Sequence, residues 1–415
     1  MPAPRRRLLF LAEDLTLAQV VRLVALARRL DPRTFDVHFA CRAFDPLLFA
    51  GTAFEHWPLY TIDREAGLRR LAKGDRLYDA STLTRYVEDE LALFDRVRPD
   101  LVVGDFRLTL PISAARFGVP SMSLINAYWS PHAVREAFPV PDHPIVSLVG
   151  PERAARYLPQ ALPKAFAFFA SPLNAVRERY GLPALDLLEQ LTAGDYVLHP
   201  DVPELCPTRE RPAHHVYLGG VEWSPDLPLP AFFDELDRAK PLIYVTLGSS
   251  GALEALPQVV AALDGLPVEA VISSAGRTKL GALPANVRAA DYLPGRSAAQ
   301  RARLVITNGG SSTGYQALIE GVPVVGIPFN MDQYLAMTAI ERAGAGLLVR
   351  AGGVRPDAIR KAILRVLDSP RFLNAARELQ AAFARLDCHA RFSELLAAAL
   401  GPFTIATPSS KFPIP

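Results

Sequence analysis

The sequence predicts an α/β protein of two doubly wound halves facing each other across a cleft, each half a parallel sheet covered by helices on both faces. Three observations carry this. Short, nearly uninterrupted apolar runs alternate with stretches of helical periodicity, the pattern of strands buried on both sides. The alternation occurs twice, before residue 200 and after residue 241. Between these stretches Pro200, Pro203, Pro207, Pro212, Pro225, Pro228, Pro230 and Pro241 interrupt any regular element. A chain of 415 residues is long enough for two or three domains of about 150 residues each.

In chain order, Arg7–Ala12 reads as a strand, Ala18–Leu30 as a helix with one apolar and one basic face, and Asp36–Cys41 as a strand. Leu83–Val97 reads as a helix, Leu101–Asp105 as a strand, Leu110–Phe117 as a helix and Ser121–Asn126 as a strand. Ala127–Phe169, rich in proline and aromatic residues, reads as irregular. After the proline-rich stretch come strands at Leu242–Leu247, Val268–Ser273, Leu304–Thr307, Val322–Pro328 and Leu347–Arg350. Helices at Glu254–Leu263, Thr313–Glu320 and Gln333–Ala343 alternate with them. The division is an N-terminal domain over 1–220, a linker over 221–241, a C-terminal domain over 242–400 and an extended tail over 401–415.

Composition excludes several classes of function. Lys plus Arg is 45 and Asp plus Glu is 43, a net of +2, which leaves no electrostatic footprint for nucleic acid. The 3 cysteines, Cys41, Cys206 and Cys388, lie far apart without a CxxC, which fits neither a disulfide framework nor a Cys-type zinc site and suits a reducing cytoplasm. After Arg5-Arg6-Arg7, the run Leu8–Ala12 is cut by Glu13 and Asp14, short of the roughly 7–15 apolar residues of a signal core. No stretch approaches about 18 uncharged apolar residues, so no membrane span is expected.

In open parallel sheets, ligands bind beyond the carboxyl ends of strands. The strongest local signal lies at such a place: Leu304–Thr307 runs into Asn308-Gly309-Gly310-Ser311-Ser312-Thr313 and then a helix. Glycines let the backbone approach a ligand, and free N–H groups, hydroxyls and the helix dipole suit a phosphate. The spacing is neither that of a P-loop nor GxGxxG; the plainer alternative is an ordinary turn with Ser312 as N-cap. A second donor-rich turn, Gly248-Ser249-Ser250-Gly251, follows the first strand of the same half, so a diphosphate between the two turns is favoured. Downstream, Asp332 and Gln333 follow a strand that ends at Pro328. A carboxylate beside an amide suits vicinal sugar hydroxyls; the alternative is an Asp N-cap.

These motifs resemble the donor-site signature of the UDP-glycosyltransferase superfamily, of GT-B fold, in its bacterial macrolide and flavonoid types. The family pattern His-Gly-Gly-x-Gly-Thr-x-x-Glu-Ala-Leu, Gly-Val-Pro, Pro-x-x-x-Asp-Gln is matched by Asn308–Leu318, Gly321-Val322-Pro323 and Pro328 to Asp332-Gln333. The resemblance covers Leu242–Arg350 strongly and the first half more weakly, through its first strand, loop and helix and Pro99–Asp105. It implies inverting transfer of a sugar from a UDP- or dTDP-type donor. In that reading Asn308 stands where the family has a histidine near the diphosphate. Gly310, Ser311, Ser312 and Thr313 cradle the diphosphate, with Ser249 or Ser250 touching it from the other turn. Gln316 replaces the glutamate that binds ribose, Asp332 and Gln333 hold the sugar, and Tyr292 is the base-stacking aromatic. Gly295 stands in place of a glutamine that follows the stacking segment.

The resemblance places the family's catalytic histidine at Gln19 and its orienting aspartate at Asp105. A glutamine cannot take a proton from a hydroxyl. Three explanations stand: Asp105, Glu13 or Asp14 supplies the base; the acceptor is already nucleophilic, as a phenolate or carboxylate is; or activity is reduced. His132 is a further candidate base. For Asp105 the structural alternative is a cap or an ion pair with Arg107, and for Gln19 a solvent-facing place in the first turn. No Asp-x-Asp follows a strand, so neither a metal nor another cofactor is expected, and the nucleotide-sugar is a co-substrate. The aromatic segment after residue 127 suggests a lipophilic small-molecule acceptor, bound by a monomer or homodimer. Two rival readings are a nucleotide-sugar epimerase or hydrolase, against which the neutral Asn308 and Gln316 count, and a nucleotide-binding partner without activity, which Gln19 favours.

Overall fold

The structure is a computed structural model that describes residues 5–401, apart from 143, 249–252, 275, 277–279 and 353. The first half contains β1 (Arg6–Ala12), α1 (Leu17–Arg28), β2 (Phe35–Cys41), α2 (Pro46–Phe49), β3 (Glu55–Pro58), α3 (Arg64–Lys73), α4 (Ala80–Val97), β4 (Leu101–Asp105), α5 (Leu110–Phe117) and β5 (Ser121–Leu124). It continues through α6 (Pro144–Val149), α7 (Pro151–Arg179), α8 (Leu187–Leu191), β6 (Tyr196–His199) and β7 (His215–Tyr217). The second half contains β8 (Leu242–Thr246), α9 (Leu256–Leu263), β9 (Glu269–Ser273), β10 (Val287–Ala290), α10 (Gly295–Arg301), β11 (Leu304–Thr307) and α11 (Ser311–Ile319). Then come β12 (Val324–Gly326), α12 (Met331–Arg342), β13 (Gly346–Leu348), α13 (Pro356–Asp368), α14 (Pro370–Ala384) and α15 (Cys388–Leu400).

Among the described residues these strands form two sheets, β3-β2-β1-β4-β5-β6-β7 and β10-β9-β8-β11-β12-β13. Neighbouring strands within each pair in parallel. In both, the chain order reverses beside the first strand of the half, so each sheet has a crevice at the carboxyl ends of that strand and its neighbour, β1 and β4 or β8 and β11.

The pleat explains the continuous apolar runs. Leu8, Phe10 and Ala12 of β1 pack with α1, while Leu9 and Leu11 pack on the other face with Leu93, Phe94 and Leu110 of α4 and α5. A strand covered on both sides needs apolar residues at both parities. The second sheet repeats this, with Ile243 and Val245 facing α9 and α13 and Leu242 and Tyr244 facing α11, α12 and α14.

Three sequence expectations change. The stretch 127–169 is not irregular throughout, because α7 is one helix from Pro151 to Arg179 despite Pro159, Pro163 and Pro172. Pro151 occupies the favourable first turn. Pro159 and Pro163 stand four apart, so their missing N–H groups fall on one side of the helix. The proline-rich stretch after residue 200 holds a short strand, β7, whose Val216 and Tyr217 pair with Leu198 and His199. The last helix, assigned by sequence to the second half, packs on the first: Cys388, Phe392 and Leu396 of α15 are buried with Leu8, Phe10 and Val24.

Between β1, α4 and α5 lies a buried polar cluster. Arg107 Nε donates to Glu90 Oε1 at 2.5 Å and its Nη1 to Glu13 Oε2 at 3.1 Å. The hydroxyls of Tyr78 and Tyr86 donate to Glu13 Oε1 at 2.7 and 2.8 Å, and Thr109 and Ser113 donate to Glu90. Two carboxylates thus share one guanidinium away from water. Burial pushes the Glu13 carboxyl up to about 7, against the attraction of Arg107 and the tyrosine hydrogen bonds. Glu13 is therefore a fixed strut of the β1–α1 loop rather than a group open to substrate. The folded state holds the Glu13 proton more tightly than the unfolded chain does, so stability falls as pH rises from about 4.5 to about 7. Glu13→Gln is expected to remove this share of the slope, flattening the urea midpoint across that window; an unchanged slope would show that Glu13 is ionised throughout.

Candidate active site

The crevices of the two sheets meet, and the residues between them form one hydrogen-bonded chain. Asp105 ends β4 wholly buried. Arg22, one turn along α1 from Gln19, grips it with two parallel bonds: Nε to Oδ2 and Nη2 to Oδ1, both 2.8 Å. The remaining nitrogen of Arg22, Nη1, donates to Asn126 Oδ1 at 2.8 Å. That same amide oxygen accepts from Ser311 Oγ at 3.2 Å, at the start of α11 in the other half. Burial raises the Asp105 carboxyl to about 6; Arg22 opposes the rise and the charge of Asp332 adds to it.

A second set of contacts crosses beside the first. Asp201 accepts from Asn126 Nδ2 at 3.0 Å and from the Ala127 N–H at 2.6 Å, and from the hydroxyl of Tyr315 on α11. Asp332 Oδ1 accepts from Tyr128 Oη at 3.0 Å and Trp129 Nε1 at 2.8 Å. Asp332 is exposed to the open cleft. Partial desolvation against the neighbouring rings and the charge of Asp201 raise its carboxyl above the ordinary range, opposed by the bonds from Trp129 and Tyr128 and the charge of Arg22.

In the second half, β11 ends and Gly309 turns with φ 79°. A side chain there would meet Met337 Cγ at 2.6 Å, so only glycine fits. Asn308 is buried and forms the turn, its Oδ1 accepting from the Gly310 N–H and from Thr307 Oγ1, both at 3.1 Å. The N-cap of α11 is Gly310 rather than Ser312. The first helical bond runs from the Gly314 N–H to Gly310 O at 3.0 Å, so the N–H groups of Ser311, Ser312 and Thr313 project from the helix end. Ser312 Oγ is buried without a hydrogen-bond partner among the described residues, a donor open to an acceptor.

The flanking candidates divide. Gln316 is buried on α11, where its Nε2 donates to Trp223 O at 3.2 Å. A side chain at Gly295 would meet Gln316 Oε1 at 2.4 Å, so the small residue at 295 leaves room for the amide. Tyr292 stands half-exposed after β10 with 53% of its surface free, and Gly276 lies against its hydroxyl. Gln333 is buried with Oε1 accepting from the Phe329 N–H at 3.2 Å. Asn330, not Asp332, caps α12, which leaves Asp332 to face the cleft. Ser249 and Ser250 lie outside the described residues.

The two residues at the catalytic positions are engaged differently from the sequence expectation. Gln19 is not solvent-facing: it is buried, and its Oε1 accepts from the N–H groups of Leu15 and Thr16 at 3.0 and 2.9 Å, capping α1. Asp105 pairs with Arg22 and not with Arg107. Neither presents a free basic atom to an acceptor hydroxyl. The residues that follow the two strand-end carboxylates, Asp14 and Phe106, both have φ 55°, a local strain held where β1 and β4 open into the cleft. Asp14 turns away toward Arg42, at 3.9 Å, and His132 packs on His215. Sequence reasoning missed Arg22, Asn126 and Asp201. The signal for Arg22 was available, since an arginine amid Val20, Val21, Leu23 and Val24 on a buried helix must find a carboxylate.

An apolar groove of about 1110 Å³ runs along α7. Phe138, Pro159, Leu162 and Phe166 line one side and Leu182 and Leu187 the other. It lies apart from the charged network, joined to it by the segment that begins at Asn126 and reaches Phe138. No described helix is long and apolar enough to cross a membrane.

Comparison with known proteins gives the family. Residues 254–392 match the family described as erythromycin biosynthesis protein CIII-like, C-terminal domain. A PGL/p-HBAD biosynthesis glycosyltransferase of Mycobacterium tuberculosis is 45% identical over 92% of this chain and 89% of its own length. A PGL/p-HBAD biosynthesis rhamnosyltransferase of Mycobacterium bovis is 44% identical over 93% of this chain and 86% of its own. Among solved structures, spinosyn rhamnosyltransferase SpnG complexed with thymidine diphosphate superposes with a TM-score of 0.65 at 20% identity, over 94% of this chain and 99% of that one. With the two crevices joined at Asp105, Asn126 and Ser311 and these relatives matched along nearly their whole length, the chain belongs to the PGL/p-HBAD biosynthesis glycosyltransferase family and is a glycosyltransferase of GT-B fold.

Proposed function

We propose that the enzyme transfers a sugar, with inversion and without a metal, from a UDP- or dTDP-type donor to an acidic hydroxyl of a lipophilic small molecule. The observation that carries this is the apposition of the N-terminus of α11 and Asp332 to Asn126–Trp129 of the other half. A donor spanning that gap has its diphosphate at Ser311–Thr313 and its sugar at Asp332 and Gln333. The dTDP in the SpnG structure and the name of the rhamnosyltransferase relative support a dTDP-sugar.

In the reaction the acceptor oxygen attacks the anomeric carbon from the face opposite the diphosphate. The new C–O bond forms as the bond to the diphosphate oxygen breaks, and the electron pair leaves with the nucleotide. The charge gained there meets the helix N–H groups, the Ser312 hydroxyl and the helix dipole, which do the electrostatic work a metal would otherwise do. Gln19 and Asp105 are committed to the α1 cap and to Arg22, so the acceptor proton goes to water from a hydroxyl that ionises readily, such as a phenol. The groove along α7 supplies the apolar surface for the remainder of such an acceptor. The rival reading of an inactive nucleotide-binding partner, which Gln19 favours, predicts donor binding with no acceptor-dependent release of nucleotide.

Three outcomes test this reading. Asp332→Ala is expected to weaken binding of the nucleotide-sugar by about 10- to 100-fold, the worth of hydrogen bonds to a charged group. Binding of the bare nucleotide diphosphate, measured by calorimetry, is expected to stay the same; equal loss of both would remove Asp332 from the sugar site. Across a series of substituted phenols, the acid limb of kcat/KM is expected to track each acceptor's own ionisation. A limb fixed at one pH for every acceptor would show that a side chain takes the proton. Gln19→His is expected to add such a fixed limb for aliphatic alcohols, at a cost of about 1 kcal/mol from the lost cap.

A further inference from the structure

We propose that Tyr128 and Trp129, which belong to the acceptor half, are positioning residues for recognition of the donor sugar: together they hold one oxygen of Asp332 and so aim the other at the sugar. This rests on the reading of Asp332 as the sugar-binding carboxylate.

Both donors converge on the same atom, Tyr128 Oη at 3.0 Å and Trp129 Nε1 at 2.8 Å from Oδ1. A carboxylate has two oxygens with about four lone-pair sites. Saturating Oδ1 fixes the plane of the group and leaves Oδ2 to accept from hydroxyls. The convergence is built in by the backbone, because Ala127–Trp129 is one tight 3-10 turn that sends consecutive side chains across the cleft. Asp201 pins the start of the turn through the Ala127 N–H at 2.6 Å. Arg135 Nη2 pins its end through Tyr128 O and Ser130 O, at 2.8 and 2.6 Å. Arg342 of α12, the helix that carries Asp332, donates to Val134 O at 2.7 Å, so the segment and the helix are fastened together. Donor-sugar affinity is thereby coupled to the placement of an acceptor-side turn.

The charged and titratable groups around Asp332 come from several elements. Arg22 of α1 favours the ionised carboxylate. Asp105 at the end of β4 and Asp201 after β6 disfavour it, while Tyr128 and Trp129 stabilise it by donation. Removing a donor therefore raises the pH at which Asp332 ionises, and the ionised form is the one whose Oδ2 is a charged acceptor for sugar hydroxyls. A merely structural role for the two rings would leave that limb where it is.

The test uses Trp129→Phe, Tyr128→Phe and the double variant, which keep an aromatic ring and remove the donors, with Asp332→Asn as reference. Calorimetry would compare UDP with UDP-glucose and dTDP with dTDP-rhamnose, from pH 5 to 8. For the pair the wild type binds, each single variant is expected to weaken the nucleotide-sugar about five- to tenfold, as the loss of one hydrogen bond does. Bare-nucleotide affinity is expected to stay within about twofold, and the acid limb of sugar binding to move to higher pH. Unchanged sugar affinity with an unmoved limb overturns the inference. So does tighter sugar binding, which would make the two residues a latch that the sugar must displace. If Asp332→Asn itself leaves the sugar preference intact, the reading of Asp332 fails; if it abolishes the preference while the aromatic variants do not, only the present inference fails.

Discussion

The site depends on where Arg22 puts its charge. A guanidinium on the buried side of α1 has to be neutralised, and Asp105 at the end of β4 does so with two parallel bonds. Taking two ions out of water is costly, and removing either partner alone leaves an uncompensated buried charge, a loss of about 3–5 kcal/mol. The pair therefore adds little net stability but fixes geometry. It locks α1 to β4, and through the third nitrogen it places Asn126, whose amide oxygen then receives the hydroxyl at the head of α11. In this way the register between the two halves is set by groups that all have to be satisfied at once.

The same economy of buried partners shapes the β1–α1 loop. Glu13 and Gln19 lie at the two ends of the β1–α1 turn. One is held by two tyrosines and Arg107, the other by two backbone N–H groups. A loop tied at both ends presents a fixed wall rather than a flexible base. That fits a transferase in which placing an already nucleophilic oxygen matters more than removing its proton. Across the cleft, the α11 terminus does the opposite: its first-turn N–H groups point out of the helix, and the buried Ser312 hydroxyl has no partner among the described residues.

Much of the site was legible in the sequence because it is local. The glycine at 309, the hydroxyls at 311–313 and the acid at 332 stand in a spacing that a strand–turn–helix imposes, and the structure finds them within one crevice. What was not legible depends on partners distant in sequence. Nothing near Gln19 announces that its side chain turns back on the chain, and nothing near Asp105 chooses Arg22 over Arg107. The prolines of α7 were misleading for a related reason. Proline breaks helices on average, yet at four-residue spacing its defects stack on one side and the helix survives.

The sequence by itself determined the architecture: two runs of buried parallel strands with helices between, because period and apolarity along the chain dictate which faces must be covered. It also determined the glycine turn at the head of α11, since glycine and the first turn of a helix act through the backbone. Only the tertiary structure decided how α15 returns to seal the first sheet, which carboxylate pairs with which arginine, and that Tyr128 and Trp129 reach Asp332. Those outcomes rest on apolar faces being covered and charged groups being satisfied by residues far apart in the chain, Tyr128 and Asp332 standing 204 positions from each other, and such pairings are set by three-dimensional proximity that no local pattern encodes.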